Sequence, residues 1–182
     1  MIAVIDTETN WLDQVMSIGV VTAEENTLEP GERRYYILTP EAEVGGMYED
    51  RMALTQPDLL GSRDQVMGNL VSWLQSLGIR EIFAYNARFD CTHLPELGGF
   101  CWYDIMRLAA YRQYNASISP WTECCSTGRL KRGYGVEPVL RALSNDPGYG
   151  ETHNALLDAV DELQIMKLLS QPLCCYREAA RL

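Results

Sequence analysis

The chain has 182 residues, 47% of them hydrophobic and 22% charged, with a formal net charge of −10 and a pI near 4.6. A chain of this length buries roughly 70% of its unfolded surface and can fold around one core without staples. The acidic balance excludes a broad basic face for coating duplex nucleic acid, and the lack of any run of about 18 apolar residues excludes a helical membrane span.

Residues 2–6, Ile-Ala-Val-Ile-Asp, form a short apolar run of the kind a buried strand needs. Residues 15–22 and 33–38 read as a second and a third strand, with Pro30-Gly31 as the turn signal between them. Residues 40–62 carry Pro40, Gly45, Gly46, Pro57 and Gly61 and read as irregular. A helix is expected over 63–77, where Val66, Leu70, Leu74 and Leu77 make one stripe and Gly78 stops it. Residues 81–86 are a fourth strand, 87–94 a short helix and 100–103 a fifth strand. Asp104 suits the N-cap of a helix over 105–114. Residues 115–135 lack a period and read as a long loop, and 137–144 as a short helix. Thr152 can cap a last long helix through Leu169, and the tail from Cys174 onward can add one or two further turns. Three consecutive strands followed by β-α-β units predict an α/β chain, a mixed five-stranded sheet with helices on both faces. No linker divides it, so residues 1–182 read as a single domain.

Cys91, Cys101, Cys124, Cys125, Cys174 and Cys175 form no C-x-x-C pair and no secreted disulfide framework, so a reducing, cytoplasmic setting is expected. Cys91-Thr92-His93 reads as a thiol beside a helical histidine rather than a zinc site. No cationic segment leads an apolar one after Met1, so no secretory signal is expected.

The chemistry gathers in three places. Asp6 and Glu8, two apart on an extended chain, point to one face. Two carboxylates at the end of a buried strand are costly unless a cation joins them, and hard ions such as Mg²⁺ or Mn²⁺ suit oxygen ligands. Asp90 follows the fourth strand, where it can reach the same place or simply sit early in a helix. His153 and Asp158 open the last helix. Asp158 lies among Ala155, Leu156, Leu157 and Ala159, where an unpaired carboxylate would be expensive, whereas Asp161 and Glu162 read as a solvated face.

Together the stretches Ile5-Asp6-Thr7-Glu8-Thr9, Asn86-Ala87-Arg88-Phe89-Asp90 and His153-Asn154-Ala155-Leu156-Leu157-Asp158-Ala159 resemble the three motifs of the DEDDh, or DnaQ-like, 3′→5′ exonucleases. The resemblance implies a ribonuclease H-like fold and a two-metal phosphodiester hydrolase that releases 5′-mononucleotides from single-stranded DNA or RNA ends. It implies that Asp6, Glu8 and Asp158 hold one Mg²⁺ or Mn²⁺, that Asp6 and Asp90 reach the second, and that His153 takes a proton from the attacking water. Thr7, Asn10, Asn86 and Phe89 flank those positions as substrate-binding candidates. Where the family often has a glycine and an aliphatic residue, this chain has Asn10-Trp11, and Trp11 can stack on a terminal base or fill a core. Tyr85 stands where a histidine is often found. Arg129, Lys131 and Arg132 form the densest basic cluster and suit a phosphate-contacting loop, or a plain solvated one. The other readings are an exonuclease subunit of a larger complex or homodimer, and a phosphodiesterase acting on short oligonucleotides or dinucleotides.

Overall fold

A strand whose two faces are both covered must be apolar on both. β1 (Ile2–Thr9) meets that demand: Ile2 and Val4 enter the core on one side of the sheet, and Ala3 and Ile5 enter the core on the other. β2 (Val15–Ala23) is buried along its whole length and pairs antiparallel with β1 and with β3 (Pro30–Leu38). β5 (Glu81–Ala84) pairs parallel with β1, and β6 (Cys101–Asp104) parallel with β5. The structure is a computed structural model, described for residues 1–179; the expected extension of the tail over 180–182 lies outside the described residues.

The sheet has six strands rather than five, in the order β4 (Leu59–Gly61), β3, β2, β1, β5, β6. The extra strand, β4, pairs parallel with β3 and is only three residues long, too short to show an alternating pattern in a stretch broken by Pro57 and Gly61. Only β2 runs against the others. The stretch read as irregular also holds a short helix, α1 (Thr39–Glu43), and a 3₁₀ turn, Glu49–Leu54. Pro30 does not make the turn between β2 and β3: it opens β3, where the missing N–H costs least, and the reversal lies over 24–29.

One face of the sheet is covered by α2 (Arg63–Ser76), which buries Val66, Met67, Leu70, Trp73 and Leu74. The other is covered by α4 (Met106–Ala109), α5 (Val136–Ser144), α6 (Ala155–Leu169) and α7 (Leu173–Ala179). The helix expected over 105–114 stops at Ala109. Its terminal carbonyls are taken by the following loop: Asn115 Nδ2 donates to Ala109 O at 2.7 Å and Leu130 N to Ala110 O at 2.9 Å. That loop is ordered by isolated bridges between Tyr111 and Arg129 and between Cys124 and Leu130.

α6 lies across β1 and β2. Its close approach depends on Gly19, the register partner of Asp6. A Cβ at Gly19 would fall 2.1 Å from the carbonyl of Ala155 and 2.2 Å from Leu156 N. This glycine is used for the space it leaves, and that space brings the first turn of α6 down onto the sheet beside Asp6.

Candidate active site

β1 places Asp6 and Glu8 at its C-terminal end, on the same side as Ile2 and Val4 and hence toward α6. Asp158 comes down on them from the first turn of α6. It is 2% exposed and accepts a hydrogen bond from the Thr152 hydroxyl at 3.1 Å. Thr152 therefore serves the site, and Asn154 caps the helix in its stead, accepting from Leu157 N at 3.3 Å. Asp90 arrives from α3 (Arg88–His93), the short helix after β5, and is equally buried. The Thr7 hydroxyl donates to Asp90 Oδ1 at 2.7 Å, fastening α3 to β1.

His153 precedes α6 in the left-handed conformation, with φ of 55°. A spacing of five residues does not share a helical face, but this left-handed residue lies before the helix begins. The result is that Glu8, His153 and Asp158 each offer a ligand atom within 4.8 Å of the others, the one such cluster among the described residues. The imidazole is stacked on Tyr48, with ring centroids 3.8 Å apart and planes 10° apart. Asn154 holds the chain that carries Tyr48 in place: its Nδ2 donates to Arg51 O at 2.9 Å and to Tyr35 Oη at 3.3 Å, and its Oδ1 accepts from the Thr55 hydroxyl at 3.2 Å. Tyr48 and Asn154 were not sequence candidates. Nothing in the irregular stretch 40–62 marks Tyr48.

A further carboxylate joins the group. Glu162, expected on a solvated face, is instead 2% exposed and accepts from Tyr85 N at 3.0 Å. The signal was present. Position 162 falls in the series Ala155, Ala159, Met166, Leu169, which is the buried stripe of α6, and it lies four residues after Asp158 on the same face. Asp161 instead accepts from the Tyr149 hydroxyl at 2.5 Å.

The electrostatics of the group are one-sided. Burial, then the charges of Glu162, Asp90, Asp158 and Glu8, hold Asp6 well above the usual carboxylate range. Burial and then Asp158 push Glu8 up to about 8. Burial raises Asp90 to about 7 against the pull of the Thr7 hydrogen bond, and burial followed by Glu151 raises Asp158 to about 6 against Thr152 and His153. Glu162 is raised by burial and then by Asp90. Among the described residues, none of the leading influences on these carboxyls is a lysine or arginine. Hard oxygen donors packed together are the donor set a divalent ion such as Mg²⁺ or Mn²⁺ fits; Glu8 and Asp158 lie close enough to share one together with His153, whereas Asp6 is outside that close group and acts on it through its charge.

This arrangement carries a pH dependence for protein stripped of divalent metal. Raised native pKa values mean that the folded chain binds more protons than the unfolded chain between about pH 4 and about pH 8. Stability of the stripped protein is therefore expected to fall as pH rises through that window. Added Mn²⁺ should restore it, by more at the alkaline end, with release of protons on binding. Thermal unfolding in chelator and in Mn²⁺ across that range checks this. A metal-induced rise in Tm that shrinks with pH would contradict it.

The remaining candidates fall into two groups. Trp11 is 65% exposed and not part of a core; with Glu8, Asp13, Met47 and Tyr48 it walls a groove of about 380 Å³. Phe89 is partly exposed and packs on His93, centroids 4.2 Å apart, while His93 Nε2 is 3.2 Å from Asp13. Asn10 is buried and shapes the β1–β2 turn, accepting from Leu12 N and Gln14 N. Asn86 is exposed, adopts φ of 62° in the turn into α3, and donates its N–H to Asp104 Oδ1 at 3.0 Å. Arg129, Lys131 and Arg132 lie on the long loop: Arg129 stands over the Tyr134 ring, 5.0 Å from its centroid, Lys131 is 3.9 Å from Glu123, and Arg132 is exposed. The Tyr85 hydroxyl donates to Tyr134 O at 2.5 Å, so this loop is tied to the strand end next to Glu162.

No family model matches the chain, and no curated protein does. Solved structures do. One is a full-length 3′-exonuclease, similar with a TM-score of 0.68 and 15% identity over 95% of this chain and 82% of that one. Another concerns 3′-end-specific recognition of a histone mRNA stem-loop by a 3′-exonuclease, with a TM-score of 0.61 and 13% identity over 91% and 79%. At these identities the likeness is one of fold, and it is the expected ribonuclease H-like α/β arrangement.

Proposed function

We propose that the chain is a metal-dependent 3′→5′ exonuclease acting on single-stranded ends. The observation that carries the reading is the convergence of Asp6, Glu8, Asp90, Asp158 and His153, drawn from three separate parts of the sequence, on one end of β1, with no lysine or arginine among the leading influences on the carboxyls in the described residues. Mg²⁺ or Mn²⁺ held by Asp6, Glu8 and Asp158, and a second ion by Asp6 and Asp90, would supply positive charge to the attacking and leaving oxygens of the phosphodiester.

The protein's own residues do the rest. His153 takes the proton of the attacking water, because a neutral imidazole accepts one near pH 7. Tyr48 stacks on that ring and fixes its plane, and Asn154 fixes Tyr48's segment. Thr7 and Thr152 orient the carboxylates of Asp90 and Asp158. Trp11, Met47 and Tyr48 offer apolar walls to the terminal base beside Glu8. The P–O3′ bond would break as the water oxygen bonds to phosphorus, the 3′-oxygen of the shortened strand would leave and take up a proton to become a 3′-hydroxyl, and the terminal nucleotide would be released as a 5′-mononucleotide. One of the similar structures concerns an RNA 3′ end, which makes RNA the first strand to try and DNA the second. The unpaired cysteines suit a cytoplasmic setting.

The test is a time course on 5′-labelled single-stranded RNA and DNA with Mg²⁺, Mn²⁺ or chelator. Stepwise shortening from the 3′ end, release of 5′-mononucleotides and arrest by chelator are expected. Cleavage that continues in chelator, or internal products, would refute the reading. The basic loop gives a second expectation. Reversing charge at Arg129 and Lys131 should raise the apparent KM and flatten its dependence on salt, since fewer counterions are released on binding. Unchanged kinetics in a salt titration would remove the loop from the substrate path.

A further inference from the structure

Trp121 is 93% exposed, the most exposed large apolar side chain of the described residues. It is not on a frayed segment. Trp121 N donates to Ser119 Oγ at 3.3 Å, Thr122 N to Ser119 O at 3.0 Å, and the Arg112 guanidinium to the carbonyl of Thr122. The turn is thus braced from beneath while it holds an indole out in water.

Its surroundings are unlike the rest of the chain. Over residues 111–134 the charged side chains are Arg112, Arg129, Lys131 and Arg132 against Glu123 alone, in a protein whose net charge is −10. Next to Trp121, Thr122 and Arg132 border a hollow of about 190 Å³ floored by Ile118, Leu130 and Val139. A flat apolar surface, an apolar hollow and guanidinium groups along one excursion match the two recurrent needs of single-stranded nucleic acid, a stacking platform and positive potential. The excursion is also next to the carboxylate cluster. Tyr134 accepts from Tyr85, whose N–H is held by Glu162, and Arg129 lies over Tyr134.

We propose that the loop of residues 111–134 is a second nucleic-acid contact, in which Trp121 stacks on a base and Lys131 and Arg132 meet phosphates of the strand upstream of the nucleotide being removed. The inference rests on the exonuclease reading for its place in a reaction, but the contact itself does not require cleavage. It makes strands longer than the groove beside Glu8 can hold the preferred substrate, over dinucleotides.

Two measurements test it on the full chain. Fluorescence anisotropy of a labelled oligouridylate of about twelve nucleotides, in chelator, reads binding without hydrolysis. Trp121→Ala and, separately, Arg132→Glu should each weaken that binding about tenfold, the loss of one stack or one contact. In Mn²⁺, the ratio of kcat/KM for the long strand to that for a dinucleotide should fall by a similar factor in both variants. Circular dichroism confirms folding, which exposed positions should leave intact. Binding by both variants equal to wild type would overturn the proposal. So would a Trp121→Ala variant that changes only the sedimentation of the protein, which would make the surface a contact between protein chains. Trp121-dependent binding by a protein that cleaves neither strand would support this contact and sink the exonuclease reading instead.

Discussion

Asp6→Asn is expected to lower exonuclease turnover by at least about a thousandfold while raising the Tm of the protein in chelator. A thousandfold corresponds to about 4 kcal/mol of barrier, the scale of charge stabilisation that a well-placed divalent ion supplies. Asp6 is the residue to choose because the charges that act on it most strongly are negative: Glu162 first, then Asp90, Asp158 and Glu8. Asparagine keeps the shape and removes the charge. In the metal-stripped protein that relieves repulsion in a buried place, so folding gains. Under the proposed mechanism the same change removes an anionic metal ligand. Single-turnover rates on a labelled strand and calorimetry in chelator report the two effects separately. Near wild-type turnover would defeat the assignment of Asp6, and a lower Tm in chelator would defeat the electrostatic account of the cluster.

The second large effect belongs to a residue with no functional group. Gly19→Ala should destabilise the fold by about 3 kcal/mol and cut activity by about a hundredfold in the fraction that folds. The added methyl meets backbone atoms of Ala155 and Leu156 at 2.1–2.2 Å, and backbone cannot swing away as a side-chain tip can. α6 must lift off the sheet by about an ångström, and a shift of that size in a reacting group costs about two orders of magnitude. Gly19 is opposite Asp6, so the lift separates Asp158 from Asp6 in particular. Gly68→Ala is the control: it lies within α2 with nothing within 4 Å of its would-be Cβ, and should stabilise by about 0.5–1 kcal/mol. Denaturant unfolding orders the three proteins. A Gly19→Ala protein as stable as wild type would show that the helix yields cheaply.

The contrast between Asp158 and Glu162 shows what was legible in the sequence. Asp158 stood out because its immediate neighbours are apolar. Glu162 follows Asp161, and two adjacent acids read as surface, although the helical period through Ala155, Ala159, Met166 and Leu169 puts position 162 inside. Strands β1, β2 and β5 were readable because both their faces are covered and their apolar runs are unbroken. β4 was not, because three residues carry no period and its pairing with β3 is decided by the chain around it. The helix after Asp104 was overrun because what ends it, Asn115 and Leu130 taking the carbonyls of Ala109 and Ala110, is a tertiary event. Tyr48 is the same kind of omission: its stacking on His153 depends on Asn154, more than a hundred residues further along the chain, holding the segment down.

The left-handed backbone at His153 biases which residues can replace it. Apart from glycine, histidine, asparagine and aspartate enter that conformation several-fold more readily than other residues, although Leu28 and Ser170 also adopt it in this chain. Of these, one offers an imidazole. Exchanging the proposed base for a tyrosine or a lysine would add a backbone cost of about 1–2 kcal/mol to the change of side chain. If His153 is the proton acceptor, as proposed, its place is set by backbone geometry as well as by chemistry, and a replacement has to satisfy both.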